Sequence, residues 1–185
     1  MNGGKGKGRL IYVMGPSGAG KDSLLAWLKA KLPPQADVHW ARRTITRPVR
    51  PGDEQHHSVD ADAFRRLRDA QAFAFHWQAN GLHYGVQHVE LAPLAAGHRV
   101  IVSGSRAYLP QALDRFPELA VVQITASVET LRHRLLTRSR ETPEAVEARV
   151  RRALAYQAPA HAIVIRNDGT LDVAGAALLS AFERL

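Results

Sequence analysis

Between Gly15 and Lys21 the chain reads GPSGAGK, a stretch that leaves little choice of architecture. Before it stands RLIYVM, Arg9 to Met14, apolar and rich in β-formers. After it comes KDSLLAWLKAKL, with Leu24, Leu25, Leu28 and Leu32 at helical spacing and Pro33-Pro34 as a stop. A buried strand, a glycine-rich turn and a helix in that order match the phosphate-cradling pattern G-x-x-x-x-G-K-[ST]. The loop Gly15, Pro16, Ser17, Gly18, Ala19 and Gly20 is suited to aim its backbone N–H groups, which Pro16 lacks, at phosphate oxygens, and the helix start adds the positive end of its dipole. Lys21 is placed to reach the outer phosphates of a nucleoside triphosphate. The eighth position departs from the pattern: it is Asp22, not a hydroxyl, with Ser23 next.

The rest of the chain alternates in the same way. Val38 to Ala41 reads as a second strand, HRVIVSG from His98 as a third and LAVVQIT from Leu119 as a fourth. AYLPQALDRF between the last two is a short helix interrupted by Pro110. Helices follow at Ser127 to Thr137, with Val128, Leu131, Leu135 and Leu136 on one face, and at Pro143 to Tyr156, with Val146, Val150 and Leu154 on one face. A strand in AIVIRNDG and a helix from Leu171 close the pattern. Only the stretch from Arg42 to about Ala96 is irregular, with one helix in DADAFRRLRDA. Apolar strands alternating with helices specify an α/β fold, a parallel sheet flanked by helices. A length of 185 residues fits one domain, 1–185, with 1–8 expected to be disordered.

Composition narrows the partners. There are no cysteines, so disulfides and thiolate metal sites are excluded. No run approaches the roughly 20 apolar residues of a membrane span, and the N-terminus lacks the apolar core of a signal peptide. The expectation is a cytoplasmic protein that binds neither membrane nor nucleic acid; the oligomeric state stays open. The net charge is +8, and many of the arginines fall in three groups, Arg42–Arg50, Arg132–Arg140 and Arg149–Arg152, with aromatics at only 6%. Separate arginine sites suit a small, highly charged ligand better than a nucleic acid stacked on aromatics.

Two features bear on that ligand. Asp22 offers a carboxylate to a hard cation, and the strand end VIVSGSRA, Val100 to Ala107, carries Ser103, Ser105 and Arg106 but no acid. We therefore read Asp22, with Ser23, as the Mg²⁺ side of the loop, although an acid there also suits a helix start. The loop RRTITRPVRPGDE spaces Arg43, Arg47 and Arg50 among hydroxyls, prolines and glycine, a pattern for gripping oxyanions. His56 and His57 are expected in solvent; His76, Trp77 and His83 either contact substrate or pack.

These pieces together resemble the guanylate kinase family. The match runs through Gly15–Lys21, Thr44–Glu54, Tyr84-Gly85, LRHRLLTRSRE at Leu131–Glu141, ARVRRAL at Ala148–Leu154 and NDG at Asn167–Gly169. It departs where that family reads guanine. QHHSV, Gln55 to Val59, replaces an acidic aromatic segment, the acid before Tyr84-Gly85 is missing, and VSGSRA replaces an acid-rich strand end. A buried base edge demands paired donors and acceptors, so losing those acids points to an acceptor without a base. GKDS, WQANGLHYGV at Trp77–Val86, GSRAYLP at Gly104–Pro110 and NDG resemble the branch whose members phosphorylate ribose 1,5-bisphosphate in phosphonate breakdown.

The resemblance implies a P-loop kinase fold using ATP and Mg²⁺, with an acceptor-binding insertion at about 42–96 and a lid at about 138–143. It implies Lys21 at the donor phosphates, Arg138, Arg140 and Arg149 over the transferring group, and Asn167 and Asp168 on the adenine side. Arg43, Arg47, Arg50, Tyr84 and Arg106 would bind the acceptor. GMP is the alternative acceptor.

Overall fold

The computed structural model describes residues 8–49, 55–137 and 142–185. In chain order the elements are β1 (Arg9–Met14), α1 (Lys21–Lys31), β2 (Val38–Trp40), β3 (Arg43–Ile45), β4 (His57–Ser58), α2 (Ala61–Asp69), β5 (Phe73–Ala79) and β6 (Leu82–Gln87). A 3₁₀ segment (His88–Ala96) follows. Then come β7 (Arg99–Ser103), α3 (Leu109–Arg115), β8 (Ala120–Thr125), α4 (Val128–Thr137), α5 (Pro143–Leu154), β9 (Ile163–Arg166) and α6 (Leu171–Glu183). Hydrogen bonding orders the strands as β2-β7-β1-β8-β9 in one sheet and β4-β3-β6-β5 in another. The α/β reading holds. Two compact units divide the chain within β1, one comprising Asp37–Leu119 with the described residues up to Tyr12, the other Val13–Ala36 with Ala120–Leu185.

In the second of these units, β8 buries Val121, Val122 and Ile124 and runs parallel to β9, with Val122 opposite Ile163 and Thr125 opposite Arg166. Helix α1 buries Leu24, Leu25 and Leu28 and packs on α6, where the Trp27 indole N–H donates to the Asp172 carboxylate at 2.7 Å. Helices α4 and α5 pack together through Leu131, Leu135, Val146 and Val150, and the Arg132 guanidinium pairs with Glu147 across them. Two residues assigned to the apolar faces do not belong there. Leu136 is 46% and Leu154 62% exposed. Leu131 and Leu135, four apart, already define the buried stripe of α4, and Leu136 lies a further 100° around it. Leu154 is the last residue of α5.

In the other unit, β2 runs parallel to β7, whose Val100, Ile101 and Val102 are buried. The segment read as irregular contains four strands. Strands β5 and β6 form a hairpin whose turn residues Asn80 and Gly81 both have positive φ, 51° and 73°, the type I′ geometry that matches strand twist. Strand β3 joins β6 antiparallel and β4 parallel. Phe64 of α2 stacks on Phe73 of β5 at 4.7 Å. Pro110 does not interrupt α3 but stands in its first turn, where its missing N–H costs no helical bond. Among the described residues no helix is long and apolar enough to cross a membrane.

The contrast within α4 gives a direct check. Leu131→Ala should lose about 2–5 kcal/mol of unfolding free energy, whereas Leu136→Ala should stay within about 0.5 kcal/mol of the parent. Urea denaturation of both variants measures this, and similar losses would contradict the assigned face.

Candidate active site

The phosphate loop joins β1 to α1 in the unit that also holds β8, β9 and α4 to α6. For its amides to face a ligand, its carbonyls must turn away, and each then needs a donor. The structure supplies donors to four of them. Pro16 O accepts from Ala19 N–H (3.2 Å) and Gly20 O from Leu24 N–H (3.0 Å). Ala19 O accepts from the buried Asn167 side chain (2.8 Å), and Gly18 O takes a long contact of 3.5 Å from Arg134 Nη1. Gly20 precedes α1 with φ 82°, and no side chain caps the helix there. A Cβ on Gly20 would stand 2.4 Å from Asn167 Nδ2, so conformation and space both require glycine.

Lys21 is the first residue of α1, and its ammonium meets the Asp22 carboxylate at 2.7 Å. Lys21 is largely enclosed, at 15% side-chain exposure, while Asp22 at 63% faces solvent. Ser23 is exposed beside it. The first turn of α1 thus carries a cation and an oxygen donor side by side. Arg149 of α5 donates to Ser17 Oγ at 2.9 Å, so α5 and the loop meet. Asn167 and Asp168, expected near the nucleotide, both bear on the loop's surroundings. Asn167 braces Ala19, and Asp168 Oδ1 accepts from Ser127 N–H at 2.5 Å just before α4. That hydrogen bond holds the Asp168 carboxyl below its ordinary range, aided by the Ser127 and Thr130 hydroxyls and Arg166, against a smaller opposing effect of burial.

In the other unit, the acceptor candidates lie on and around the four-stranded sheet. Arg43 of β3 sits over the Tyr84 ring (5.5 Å), Tyr84 stacks parallel to Trp77 across the β5–β6 pair (5.6 Å, 4°), and Trp77 meets Tyr108 at 5.9 Å. Trp77 therefore packs against the residue expected to bind substrate. Arg47 follows β3, and its carbonyl lies 3.2 Å from His56 Nε2. His56 is 7% exposed, not in solvent as the adjacent pair of histidines suggested; His57 is exposed. Arg106 follows a turn fixed by Tyr12. The Tyr12 hydroxyl accepts Ser105 N–H and donates to Ser105 O, both at 2.9 Å. A Cβ on Gly104 would fall 1.9 Å from the Tyr12 ring, which explains the glycine before Ser105. Arg50, Arg138 and Arg140 lie outside the described residues, as do Gly52 and Glu54 and residues 138–141 of the expected lid.

Sequence reasoning missed Arg134, which it left without a role inside the group Arg132–Arg140, and Glu90, on which no motif falls. The arginine's signal was its spacing: Arg134 follows Leu131 by three residues, on the flank of the buried stripe. Glu90 had a weaker one, a lone acid in the otherwise uncharged segment VELAPLAA.

No protein-family model matches the chain. It is 45% identical over 180 residues to the ribose 1,5-bisphosphate phosphokinase PhnN of Burkholderia pseudomallei, covering 96% of each chain. It is 45% identical over 172 residues to the protein of the same name from Chromobacterium violaceum, covering 93% of this chain and 92% of that one. Among solved structures it resembles guanylate kinase from Anaplasma phagocytophilum, with a TM-score of 0.69 at 18% identity over 97% of this chain and 87% of the other. That likeness concerns the fold. Loop, sheet and structural kinship together define a P-loop kinase of the guanylate kinase type. Within that class the chain belongs to the ribose 1,5-bisphosphate phosphokinase family.

The Asp168 contact has a pH signature. A carboxyl held below its unfolded value, about 3.9, stabilises the fold above that pH, and the contribution disappears as pH falls through the folded value. The stability gap between the parent and Asp168→Asn should be present at pH 7 and close as pH drops below about 4. Thermal melts across pH measure it; a gap independent of pH would contradict the assignment.

Proposed function

We propose that this chain transfers the γ-phosphoryl group of ATP to the 1-phosphate of ribose 1,5-bisphosphate, giving 5-phosphoribosyl 1-diphosphate and ADP. What carries the reading is near full-length kinship at 45% identity with proteins bearing that name, in a chain that keeps the glycines and Lys21 of the phosphate loop. An oxygen of the 1-phosphate bonds to the γ-phosphorus as the bond from that phosphorus to the ADP oxygen breaks. The nucleophile is already anionic near neutral pH, so no general base is needed, and the protein's task is positioning and charge neutralisation.

The donor site is the loop Gly15–Gly20 with Lys21, joined by Arg149 and Arg134; Arg138 and Arg140 are proposed to close over the transferring group from a lid at about 138–143. The acceptor site is assigned to the segment at about 42–96 with Arg106. Arg43, Arg47, Arg50 and Arg106 hold the two phosphates and Tyr84 supports Arg43. Asn167 and Asp168 are kept as nucleotide-side residues, Asn167 by holding the loop and Asp168 by holding Ser127 at the start of α4. GMP has no comparable support, because the acids needed to pair with a base edge are missing from the sequence.

Asp22 and Ser23 suit Mg²⁺: both offer hard oxygen atoms in the first turn of α1, next to the lysine that meets the phosphates. Among the described residues no group of three or more His, Cys, Asp or Glu could hold a metal by itself, which fits an ion completed by phosphate oxygens and water. Bound Mg²⁺ would offset phosphate charge. Lys21, whose ammonium meets the Asp22 carboxylate, is assigned to the phosphates themselves.

Two outcomes are expected. With Mg·ATP and ribose 1,5-bisphosphate, ³¹P NMR should show paired doublets of a new diphosphate growing with ADP; growth of inorganic phosphate alone would overturn the assignment. Asp22→Asn should raise the Mg²⁺ concentration for half-maximal rate about tenfold, a loss of roughly 1.4 kcal/mol in metal binding. A fall in rate at unchanged Mg²⁺ dependence would remove Asp22 from the metal site.

A further inference from the structure

Glu90 is an acid where the local sequence favours an apolar residue. It lies in the 3₁₀ segment His88–Ala96, next to the buried Leu91, and is itself only 9% exposed. A carboxylate in such a place costs free energy unless donors surround it. Three do. Arg42 N–H donates to Glu90 Oε2 at 2.9 Å, His39 Nε2 lies 2.8 Å from the same oxygen, and His57 Nε2 is 3.5 Å from Oε1. Burial pushes the carboxyl up, but the Arg42 amide and the two histidines outweigh it and hold the group below its ordinary range. Glu90 is therefore an anion at neutral pH.

The position of the Arg42 amide explains why an anion is useful there. Ala41 N–H bonds to Ile101 O of β7 at 3.0 Å, which ties this segment to the parallel sheet. Arg43 is already paired with Val86 of the antiparallel β6 in the four-stranded sheet. Arg42 stands between them, at the corner where the chain passes from one sheet to the other, and Glu90 provides the acceptor for its amide. From this corner β3 leads directly through Arg43 and Thr46 to Arg47. Thr46 continues the tie, with its N–H on His83 O (3.1 Å) and its Oγ1 accepting His83 N–H (2.9 Å).

We propose that Glu90 is a positioning residue for the acceptor site, fixing the Ala41–Arg42 corner so that β3 and the two residues after it present Arg43 and Arg47 to the acceptor phosphates. The inference rests on the reading that those arginines hold the acceptor. It assigns to the 3₁₀ segment a role in substrate affinity, exerted through backbone and not through contact with substrate.

The experiment is steady-state kinetics on the full chain, with ribose 1,5-bisphosphate and Mg·ATP each varied. Glu90→Leu keeps the volume but removes the acceptor for Arg42 N–H, and should raise KM for ribose 1,5-bisphosphate about tenfold, with kcat and KM for ATP within about twofold. Glu90→Gln keeps an oxygen on that amide and should return KM to within about threefold of the parent. Glu90→Asp keeps the charge but withdraws it by one methylene, and should behave like the leucine variant; it decides the matter if the leucine variant does not fold. The proposal falls if Glu90→Gln is as impaired as Glu90→Asp, if Glu90→Asp leaves the acceptor KM unchanged, or if both KM values rise together. Arg47→Ala separates the two readings. If it raises the acceptor KM while the Glu90 variants do not, only the positioning role fails; if it does not, the acceptor assignment fails and takes this inference with it.

Discussion

A loop that binds phosphate through its backbone must turn its amides inward, and the fold has to satisfy every carbonyl that consequently turns outward. The bond from the buried Asn167 side chain to Ala19 O is the clearest instance. It comes from the residue just after β9, whose own amide donates to Thr125 O at the end of β8 at 2.8 Å, so one asparagine ties the loop to a strand pair. Gly20 allows this closeness, since a side chain there would occupy the position of the amide. Arg134 on Gly18 O and Arg149 on Ser17 bring α4 and α5 to the same loop, and the Arg132–Glu147 pair holds those helices together. The NDG motif and the arginine-rich helices thus serve the loop before any ligand arrives.

The other unit follows a related rule: polar side chains fix backbone, and backbone then aims cations. Tyr12 holds both sides of the Ser105 peptide ahead of Arg106, His56 meets the Arg47 carbonyl, and Glu90 holds the Arg42 amide. Each is buried or nearly so, where a polar group must be paired and is correspondingly specific about its partner. Arginines set in this way can meet phosphates with less ordering cost than arginines on a free loop.

Much of the fold was legible because it is periodic. Strand β1 and helix α1 were read within a residue of their observed ends, and the buried strands β7 and β8 stood out as short apolar runs. The four-stranded sheet was not, because β3 and β4 have only three and two residues and its strands carry arginine, histidine and glutamine. One signal was available: Asn80-Gly81 between WQA and LHY is the strongest short hairpin indication a sequence offers. In the donor site, Gly15–Asp22 could be read directly, since the motif is local. Arg134, His56 and Glu90 could not, because their roles depend on partners 116, 9 and 48 residues away.

The central claim is that the acceptor is a sugar bisphosphate and carries no base. It is tested most directly by comparing kcat/KM for ribose 1,5-bisphosphate and GMP from ADP release, on the same preparation with saturating Mg·ATP. The account predicts turnover on the sugar bisphosphate with GMP at least about 10³-fold poorer, since an unpaired base edge alone costs several kcal/mol. Equal or better turnover of GMP would contradict it. It would mean that groups other than the missing acids read guanine.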